Sequence, residues 1–313
     1  MRWNRIMKEK KPKTLSFLLS KYRFVIGLLA TFLSNINVLN FAKGTINQSK
    51  TKSFCVPGLN CYSCPAATGA CPIGAFQAVV GSPEHNFSYY VSGLVILFGV
   101  TLARIVCGFL CPFGWFQELL YKTPSKKLST KKVHKLTYVK YVILAVFVVL
   151  LPMFIVDEAG LSIPFFCKYL CPVGILEGAI PLAIVNSAIR ASLGFLFSWK
   201  MTLLLAVILI SVLIYRPFCK WICPLGAFYS LFNKISLVSL KVDKEKCISC
   251  GRCEQVCKMD VVVLENANDG ECIRCGKCIK ACPTCAISFS CQTARDLKTR
   301  ASKNSEKKNE HKN

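Results

Sequence analysis

Long apolar segments, separated by short basic or polar ones, occupy most of the chain before a cysteine-rich C-terminal region. Three of them, at about residues 89–106, 138–156 and 195–215, approach the roughly 20 residues that a helix needs to cross a bilayer. A fourth, at about residues 24–42, is interrupted by Asn35, Asn37 and Asn40. A cleaved signal peptide is the alternative there, but no small-residue cleavage site follows the segment. The pattern predicts a polytopic α-helical membrane protein with about four spans.

The distribution of positive charge predicts how these spans are oriented. The 313 residues are 53% hydrophobic and carry a formal net charge of +24, a combination that few soluble proteins have. Lys and Arg accumulate in the N-terminal segment, in the loop at residues 122–135 and after Arg216, and the positive-inside rule places these parts in the cytoplasm. The loops at about residues 43–88 and 157–198 then face outward. We expect a multi-pass protein of the bacterial cytoplasmic membrane with both termini inside.

A cysteine spacing that occurs twice follows the last apolar segment. The order C-x2-C-x2-C-x3-C begins at Cys247 and again at Cys272, and in bacterial two-cluster ferredoxins the last Cys of each run binds the other cluster. The predicted ligands are Cys247, Cys250, Cys253 and Cys282 for one cluster, and Cys272, Cys275, Cys278 and Cys257 for the other. A pair of zinc knuckles is the alternative, but it needs only C-x2-C pairs. The spacing predicts an α+β bacterial-type domain with two [4Fe-4S] clusters; Lys258, where a Pro is usual, alters a turn and not a ligand.

A second repeat, Cys-Pro-apolar-Gly, occurs four times in the apolar region and begins at Cys71, Cys111, Cys171 and Cys223. In three copies another Cys precedes by four residues, whereas the first copy has Ala67 there. On the predicted topology, the cysteines at the cytoplasmic side form an inner set: Cys107, Cys111, Cys219 and Cys223. Those at the outer side are enough for an outer set: Cys61, Cys64, Cys71, Cys167 and Cys171. The repeat predicts one or two further iron-sulfur clusters in the membrane domain.

Two arginines accompany the inner set. Arg104 and Arg216 each stand three residues before the first Cys of an inner C-x3-C pair. A cubane held by four thiolates is negatively charged, so a cationic hydrogen-bond donor close by would stabilise it. We therefore predict that both arginines help to bind a cluster. The alternative is that they follow the positive-inside rule and extend to the membrane surface.

Not every cysteine fits a ligand set. Cys285 and Cys291 match no position of the C-terminal motif, and we expect them to be packing thiols. Cys55 fits no set either. Because the outer compartment can be oxidising, a disulfide between Cys55 and another outer cysteine is an alternative to a cluster there.

The C-x3-C-P repeats beside membrane spans, followed by the two-cluster motif, resemble the polyferredoxin membrane proteins related to NapH and to the membrane half of NosR. The resemblance covers roughly residues 53–291. It implies electron transfer between the cytoplasm or the quinone pool and an extracytoplasmic redox partner, often a flavoprotein; a cytoplasmic ferredoxin or quinol would be a donor. These relatives are best known for two C-x3-C-P motifs, so the third copy and the C-x2-C-x6-C at Cys61 to Cys71 depart from the pattern.

Several absences narrow the function further. The three histidines lie outside the predicted spans and no C-x-x-C-H motif occurs, which excludes a membrane cytochrome. No phosphate-binding glycine motif occurs, so the chain is expected to be an electron-transfer component without its own substrate site. Two alternatives remain, a copper reductase for oxidase maturation and a thiol redox sensor.

The sequence divides into four parts. These are a basic cytoplasmic segment (1–23), the membrane domain (24–239), the ferredoxin domain (240–291) and a Lys-rich tail (292–313). The tail lacks apolar periodicity, so we expect it to be disordered. Beside a membrane anchor, its partner is expected to be anionic lipid rather than nucleic acid.

Overall fold

A computed structural model describes residues 15–81, 89–155, 157 and 162–291. The first part of the predicted basic segment, a part of each predicted outer loop and the predicted disordered tail lie outside these residues. The helices of the membrane part are α1 Leu15–Ser34, α2 Leu39–Lys43, α3 Pro72–Val80, α4 Tyr89–Thr101, α5 Pro112–Tyr121, α6 Val133–Phe154, α7 Ile180–Val185, α8 Ser187–Ala191, α9 Phe195–Leu213, α10 Pro217–Trp221 and α11 Pro224–Phe232. Turns of π-helix occupy Val106–Leu110, Leu144–Leu150, Phe166–Leu170 and Ile175–Ala179, and 3₁₀ turns occupy Lys50–Ser53 and Lys131–Tyr138.

Three helices in the described part of the chain are long and apolar enough to cross a membrane: α1, α6 and α9. Helices α6 and α9 agree with two of the predicted spans. The span predicted at residues 89–106 is shorter in the structure, because α4 ends at Thr101 after 13 residues. Ala103 then adopts a left-handed φ of +48°, a conformation that does not continue an α-helix. A polytopic helical membrane protein is supported, and the number of four spans stays a prediction.

The predicted boundaries of the first span were wrong. Helix α1 begins at Leu15 instead of residue 24 and ends at Ser34 instead of residue 42. Its early start is possible because Arg23, a charged residue within the helix, is buried and forms an ion pair with Glu118. Its end follows from Asn35, whose side chain donates to the carbonyl of Thr31 at 3.1 Å instead of continuing the helix.

The C-terminal part, as far as Cys291, where the described residues end, contains two short helices and one two-stranded antiparallel sheet. The helices are α12 Arg252–Gln255 and α13 Lys277–Ala281, and the strands are β1 Val238–Val242 and β2 Ile287–Cys291, paired with Val238 opposite Cys291. Each helix follows a glycine with left-handed φ, Gly251 (+68°) and Gly276 (+73°), a conformation that glycine adopts without a steric penalty. The two halves therefore repeat one backbone pattern.

The departure at Lys258 leaves this pattern intact. The residue three positions after the last Cys of each motif is left-handed in both halves, with φ +59° at Asp260 and +53° at Cys285. The turn after Cys257 therefore has the same character as the turn after Cys282, although only the latter Cys is followed by Pro.

One hydrophobic core runs through both parts of the molecule. It includes Leu59 and Val173 from the membrane part and Ile273 and Ile287 from the C-terminal part. Polar contacts reinforce the junction, since the side-chain amide of Asn233 donates to the Cys272 carbonyl at 2.8 Å. The C-terminal domain is thus packed directly on the membrane domain.

Candidate metal centres

The eight cysteines of the C-terminal motif form two groups. The first four predicted ligands, Cys247, Cys250, Cys253 and Cys282, line one small cavity. The thiols of the second group, Cys257, Cys272, Cys275 and Cys278, lie within electrostatic range of one another. Helix α12 contains Cys253 of the first group and is followed by Cys257 of the second. Helix α13 contains Cys278 of the second group and is followed by Cys282 of the first, so the two groups are adjacent. Cys285 and Cys291 belong to neither group; Cys291 is exposed at the end of β2.

The inner cysteines share a local geometry that follows from the Cys-Pro-apolar-Gly sequence. Cys111 and Cys223 have extended φ/ψ and cap α5 and α11, with Pro at the first helical position, where its missing N–H costs nothing. Their thiols accept hydrogen bonds from the amides of Gly114 (3.4 Å) and Gly226 (3.3 Å). A thiolate at this place faces the positive end of a helix, which lowers the energy of the charged form.

The two C-x3-C pairs of the inner set face each other. The Cys111 thiol lies within electrostatic range of Cys107 and Cys219, and so does the Cys223 thiol. In each pair the amide of the second Cys donates to a carbonyl five residues earlier, Cys111 to Val106 and Cys223 to Phe218. This wider turn brings both thiols of a pair to one side, so the four form a single group.

Arg104 and Arg216 each reach across the inner group and contact the C-x3-C pair that the other one precedes. Arg104, which precedes Cys107, donates to the carbonyl of Cys219 at 3.2 Å, and Arg216, which precedes Cys219, donates to the carbonyl of Cys107. Both side chains are at most 1% exposed. They are therefore buried within the protein beside the cysteines, and do not extend to a surface as the alternative required. The glycine of each tetrad leaves room for them: a β-carbon on Gly114 would lie 3.1 Å from the Arg216 guanidinium.

Each inner arginine also has a carboxylate partner. Arg216 donates to Glu118 at 2.9 Å and Arg104 to Glu271 at 3.0 Å. Burial alone would raise the pKa of Glu118, but Arg216 and Arg23 hold it down at about 2, so the carboxylate is ionised. Glu271 belongs to the C-terminal domain and precedes the predicted ligand Cys272, which ties the second ferredoxin group to the inner group.

The outer group lies around a cavity. Cys61, Cys71, Cys167 and Cys171 line a cavity of about 780 Å³. The Cys171 thiol lies within electrostatic range of the other three. Lys200 donates to the carbonyl of Cys167 at 3.0 Å. This contact corresponds to the one in the inner group in which Arg216 donates to the carbonyl of Cys107.

Of the two other outer cysteines, Cys64 lies outside the lining of this cavity, whereas Cys55 is part of it. Cys64 packs in a separate cluster with Ala66 and Ala67, and its thiol donates to Asn35 at 3.5 Å. Its predicted role as a ligand stays a prediction. Cys55 lines the same cavity as the four grouped cysteines, and all twenty cysteines of the chain are free thiols in the structure.

Sequence reasoning missed a pair of glutamines that mark the two membrane groups. The side-chain amide of Gln117 donates to the Cys219 thiol at 3.2 Å, and its oxygen accepts from the amide of Phe218. Gln77 makes the same two contacts in the outer group, to the Cys167 thiol at 3.3 Å and from Phe166. Both glutamines stand six residues after the Cys of a tetrad, a repeat that was visible in the sequence.

The donor groups around the cysteines fit an iron-sulfur cluster. The Nε–H groups of Arg104 and Arg216 are buried and have no hydrogen-bond partner among the described residues. Burial raises the pKa of Cys167 and of Cys272 to about 12 each, so only a bound cation would hold such thiols deprotonated at neutral pH. Within the described residues no three His, Cys, Asp or Glu side chains converge closely enough for a single metal ion. A cubane binds each thiolate to a different iron, so its ligands stand further apart than those of zinc.

Comparison with known proteins agrees with these features. The 4Fe-4S binding domain family matches residues 85–131, 141–180 and 196–244, and the 4Fe-4S dicluster domain family matches residues 239–283. No solved structure matches the chain significantly.

Relatives include the uncharacterized protein MJ0750 of Methanocaldococcus jannaschii, 31% identical over 63% of this chain and 76% of its own length. The methylamine utilization ferredoxin-type protein MauN of Methylorubrum extorquens is 28% identical over 61% of this chain and 56% of its own length. The regulatory protein NosR of Stutzerimonas stutzeri is 25% identical over 55% of this chain and 22% of its own length. The extent of these matches and the two cysteine repeats show that the chain belongs to the NapH/NosR-like family of membrane-associated, ferredoxin-type iron-sulfur proteins.

Proposed function

We propose that the chain holds four [4Fe-4S] clusters in a row and relays single electrons through the membrane. One end of the row is the ferredoxin group at Cys247, and the other is the outer group at Cys171. The donor is a cytoplasmic protein or the quinone pool, and the acceptor is an extracytoplasmic redox partner. The ferredoxin domain and both termini lie in the cytoplasm, and the span count is four.

The observation that carries the proposal is the contact between successive cysteine groups. The two ferredoxin groups share helices α12 and α13. The second of them meets the inner group through Glu271 and Arg104, and also through Gly108, where an added β-carbon would lie 2.5 Å from the carbonyl oxygen of Ile273. The inner and outer groups belong to one continuous core. Such an order suits a relay, because every cluster has at least one neighbour in the row.

Iron content is the direct test of the cluster number. The full-length protein, purified anaerobically in detergent, should contain about sixteen irons, since each cubane holds four. Cys223→Ser and Cys171→Ser should each lower the content by about four irons, because each removes a ligand of a different membrane cluster. Cys285→Ser is the matched control and should change nothing. Stoichiometric zinc, or a full iron content in both ligand variants, would contradict the proposal, and absence of iron would favour the thiol sensor.

Orientation and direction require a second experiment. In oriented vesicles, Cys171→Ser should block reduction of an external acceptor by electrons supplied at the cytoplasmic face, while the ferredoxin clusters remain reducible. A membrane-impermeant thiol reagent added outside should label the cluster-free variant at Cys167 and not at Cys107. Labelling of Cys107 from outside would mean that the topology is inverted.

A further inference from the structure

A short buried segment, residues 57–61, passes between the inner and outer cysteine groups. It contains no secondary structure, yet Leu59 is 2% exposed and Asn60 is fully buried. The segment ends at Cys61, which belongs to the outer group. A non-repetitive segment buried this deeply needs fixed partners for its backbone polar groups.

Its consecutive amides face different cysteine groups. The backbone amide of Leu59 lies near the thiol of Cys111 in the inner group, and a β-carbon on the preceding Gly58 would be 2.8 Å from the Cα of Cys111. The next amide, that of Asn60, lies near the thiol of Cys71 in the outer group, and both residues line the outer cavity. The two nitrogens belong to adjacent residues, so only the Cα and carbonyl carbon of Leu59 separate them. One residue therefore connects a ligand of one group to a ligand of the other.

Several contacts hold the segment in this position. The Tyr229 hydroxyl donates to the carbonyl of Pro57 at 2.9 Å, and the amide of Cys61 donates to Glu177 at 2.7 Å. The side chain of Asn60 donates to the carbonyl of Ser34 at 3.0 Å. Tyr229 is fully buried, and its phenol lies within electrostatic range of the inner thiol of Cys111 and the outer thiol of Cys71.

Gly58 lets the segment approach the inner group. A β-carbon on Gly58 would lie 2.8 Å from the Cα of Cys111 and 3.2 Å from Pro112. The obstacle is backbone and a proline ring, neither of which can move aside without displacing the cluster ligand itself. The close approach therefore depends on glycine at this position.

We propose that residues 57–61, anchored by Tyr229, form the electronic bridge between the two membrane clusters; this rests on the proposed function, since it requires a cluster in each group. One electron leaves the reduced inner cluster, which becomes oxidised, and enters the oxidised outer cluster, which becomes reduced, with no transfer of atoms. Covalent bonds and close atomic contacts mediate such a transfer better than a gap of the same length. The bilayer core is about 30 Å thick, and the bridge means that no single transfer has to cover it.

Kinetics of the full-length protein in lipid nanodiscs test this bridge. A ruthenium photosensitiser attached to the exposed Cys291 injects an electron into the ferredoxin domain upon a flash. EPR spectra of samples frozen at increasing delays then follow the inner and outer cluster signals. The variant is Gly58→Ala, and the matched control is Gly93→Ala in α4, where a β-carbon would meet nothing within 4 Å.

We expect the wild-type protein and the control to show a fast phase of outer-cluster reduction. Gly58→Ala should lose this phase because the segment is pushed away from Cys111, and the iron content of the variant shows whether the inner cluster is still bound. If Gly58→Ala loses iron, Tyr229→Phe replaces it, because that variant keeps the ring and removes only the hydroxyl that anchors Pro57. An unchanged fast phase in the iron-replete variant overturns the bridge. A wild-type protein with fewer than four clusters overturns the proposed function instead.

Discussion

The inner and outer groups are built from the same repeat, but they hold their charges differently. In the inner group two fully buried arginines each pair with a carboxylate, Glu118 or Glu271. In the outer group the corresponding cation is Lys200, which is half-buried and donates to a backbone carbonyl. All four inner cysteines are buried, whereas Cys61 and Cys167 of the outer group are half-buried and line a cavity of about 780 Å³.

This difference separates two tasks that a relay has to perform. A site that only passes electrons to its neighbours gains from a fixed, dry environment, because fixed donors need no rearrangement when the charge changes. A site that meets an external partner has to be reachable. We therefore expect the inner group to depend strongly on its buried charges and the outer group to tolerate changes in its cation.

Removal of one inner arginine should have the largest effect. Arg216→Gln leaves Glu118 with one buried cation fewer, and breaking a buried ion pair in this way costs about 3–5 kcal/mol. We expect a lower thermal midpoint in detergent and loss of the inner cluster. Lys200→Gln at the corresponding outer position should have a much smaller effect on both measurements. Equal effects of the two variants would show that the buried arginine contributes no more to stability or cluster binding than the half-buried lysine.

The glutamines should produce an intermediate and site-specific effect. Gln117→Leu removes a donor to Cys219, and Gln77→Leu removes the same donor to Cys167. Loss of such a supporting contact typically weakens metal binding about 10–100-fold. Each variant should also lower the reduction potential of its own cluster, because an N–H donor to sulfur stabilises the more negative, reduced state.

Redox titration followed by EPR measures this effect, and each variant is the control for the other. A shift of both membrane signals in either variant would mean that the glutamine acts through the general packing and not through its own thiol contact.

The smallest effect is expected at Cys64. Because Cys64 packs away from the cavity, Cys64→Ser should leave the iron content unchanged, whereas Cys61→Ser should remove about four irons. Iron and sulfide analysis of both purified variants distinguishes these outcomes. If only Cys64→Ser loses iron, Cys64 is the ligand of the outer cluster and Cys61 is not.

Cysteines that the sequence predicted to share a site lie near one another in the structure, whereas the predicted boundaries of the first helix were wrong. The role of these cysteines as ligands stays a prediction. Ligand spacing is a local property, so the C-terminal motif and the C-x3-C-P pairs could be assigned without knowledge of the fold. Helix ends depend on distant partners. Arg23 lies inside α1 because it pairs with Glu118, which is 95 residues away in the sequence. The break at Ala103 has no comparable signal in the sequence.

Residues that support the ligands were harder to predict for the same reason. The contacts of Arg104 and Arg216 across the inner group, and the passage of residues 57–61 between the groups, are results of tertiary packing. Gln77 and Gln117 are the exception. They repeat at a fixed distance from Cys71 and Cys111, so extending the repeat beyond its glycine would have identified them.

The pairing of Arg104 with Glu271 also constrains the order of assembly during synthesis. Arg104 and all four inner cysteines lie before residue 224, and the ribosome produces them before it reaches Glu271. Lys140 contacts the same carboxylate and, like Arg104, is synthesised before Glu271. Until the C-terminal domain folds onto the membrane domain, both buried cations lack this carboxylate. Completion of the inner site is therefore a late event in biogenesis, and a chain truncated before Glu271 would carry this uncompensated charge in its membrane domain.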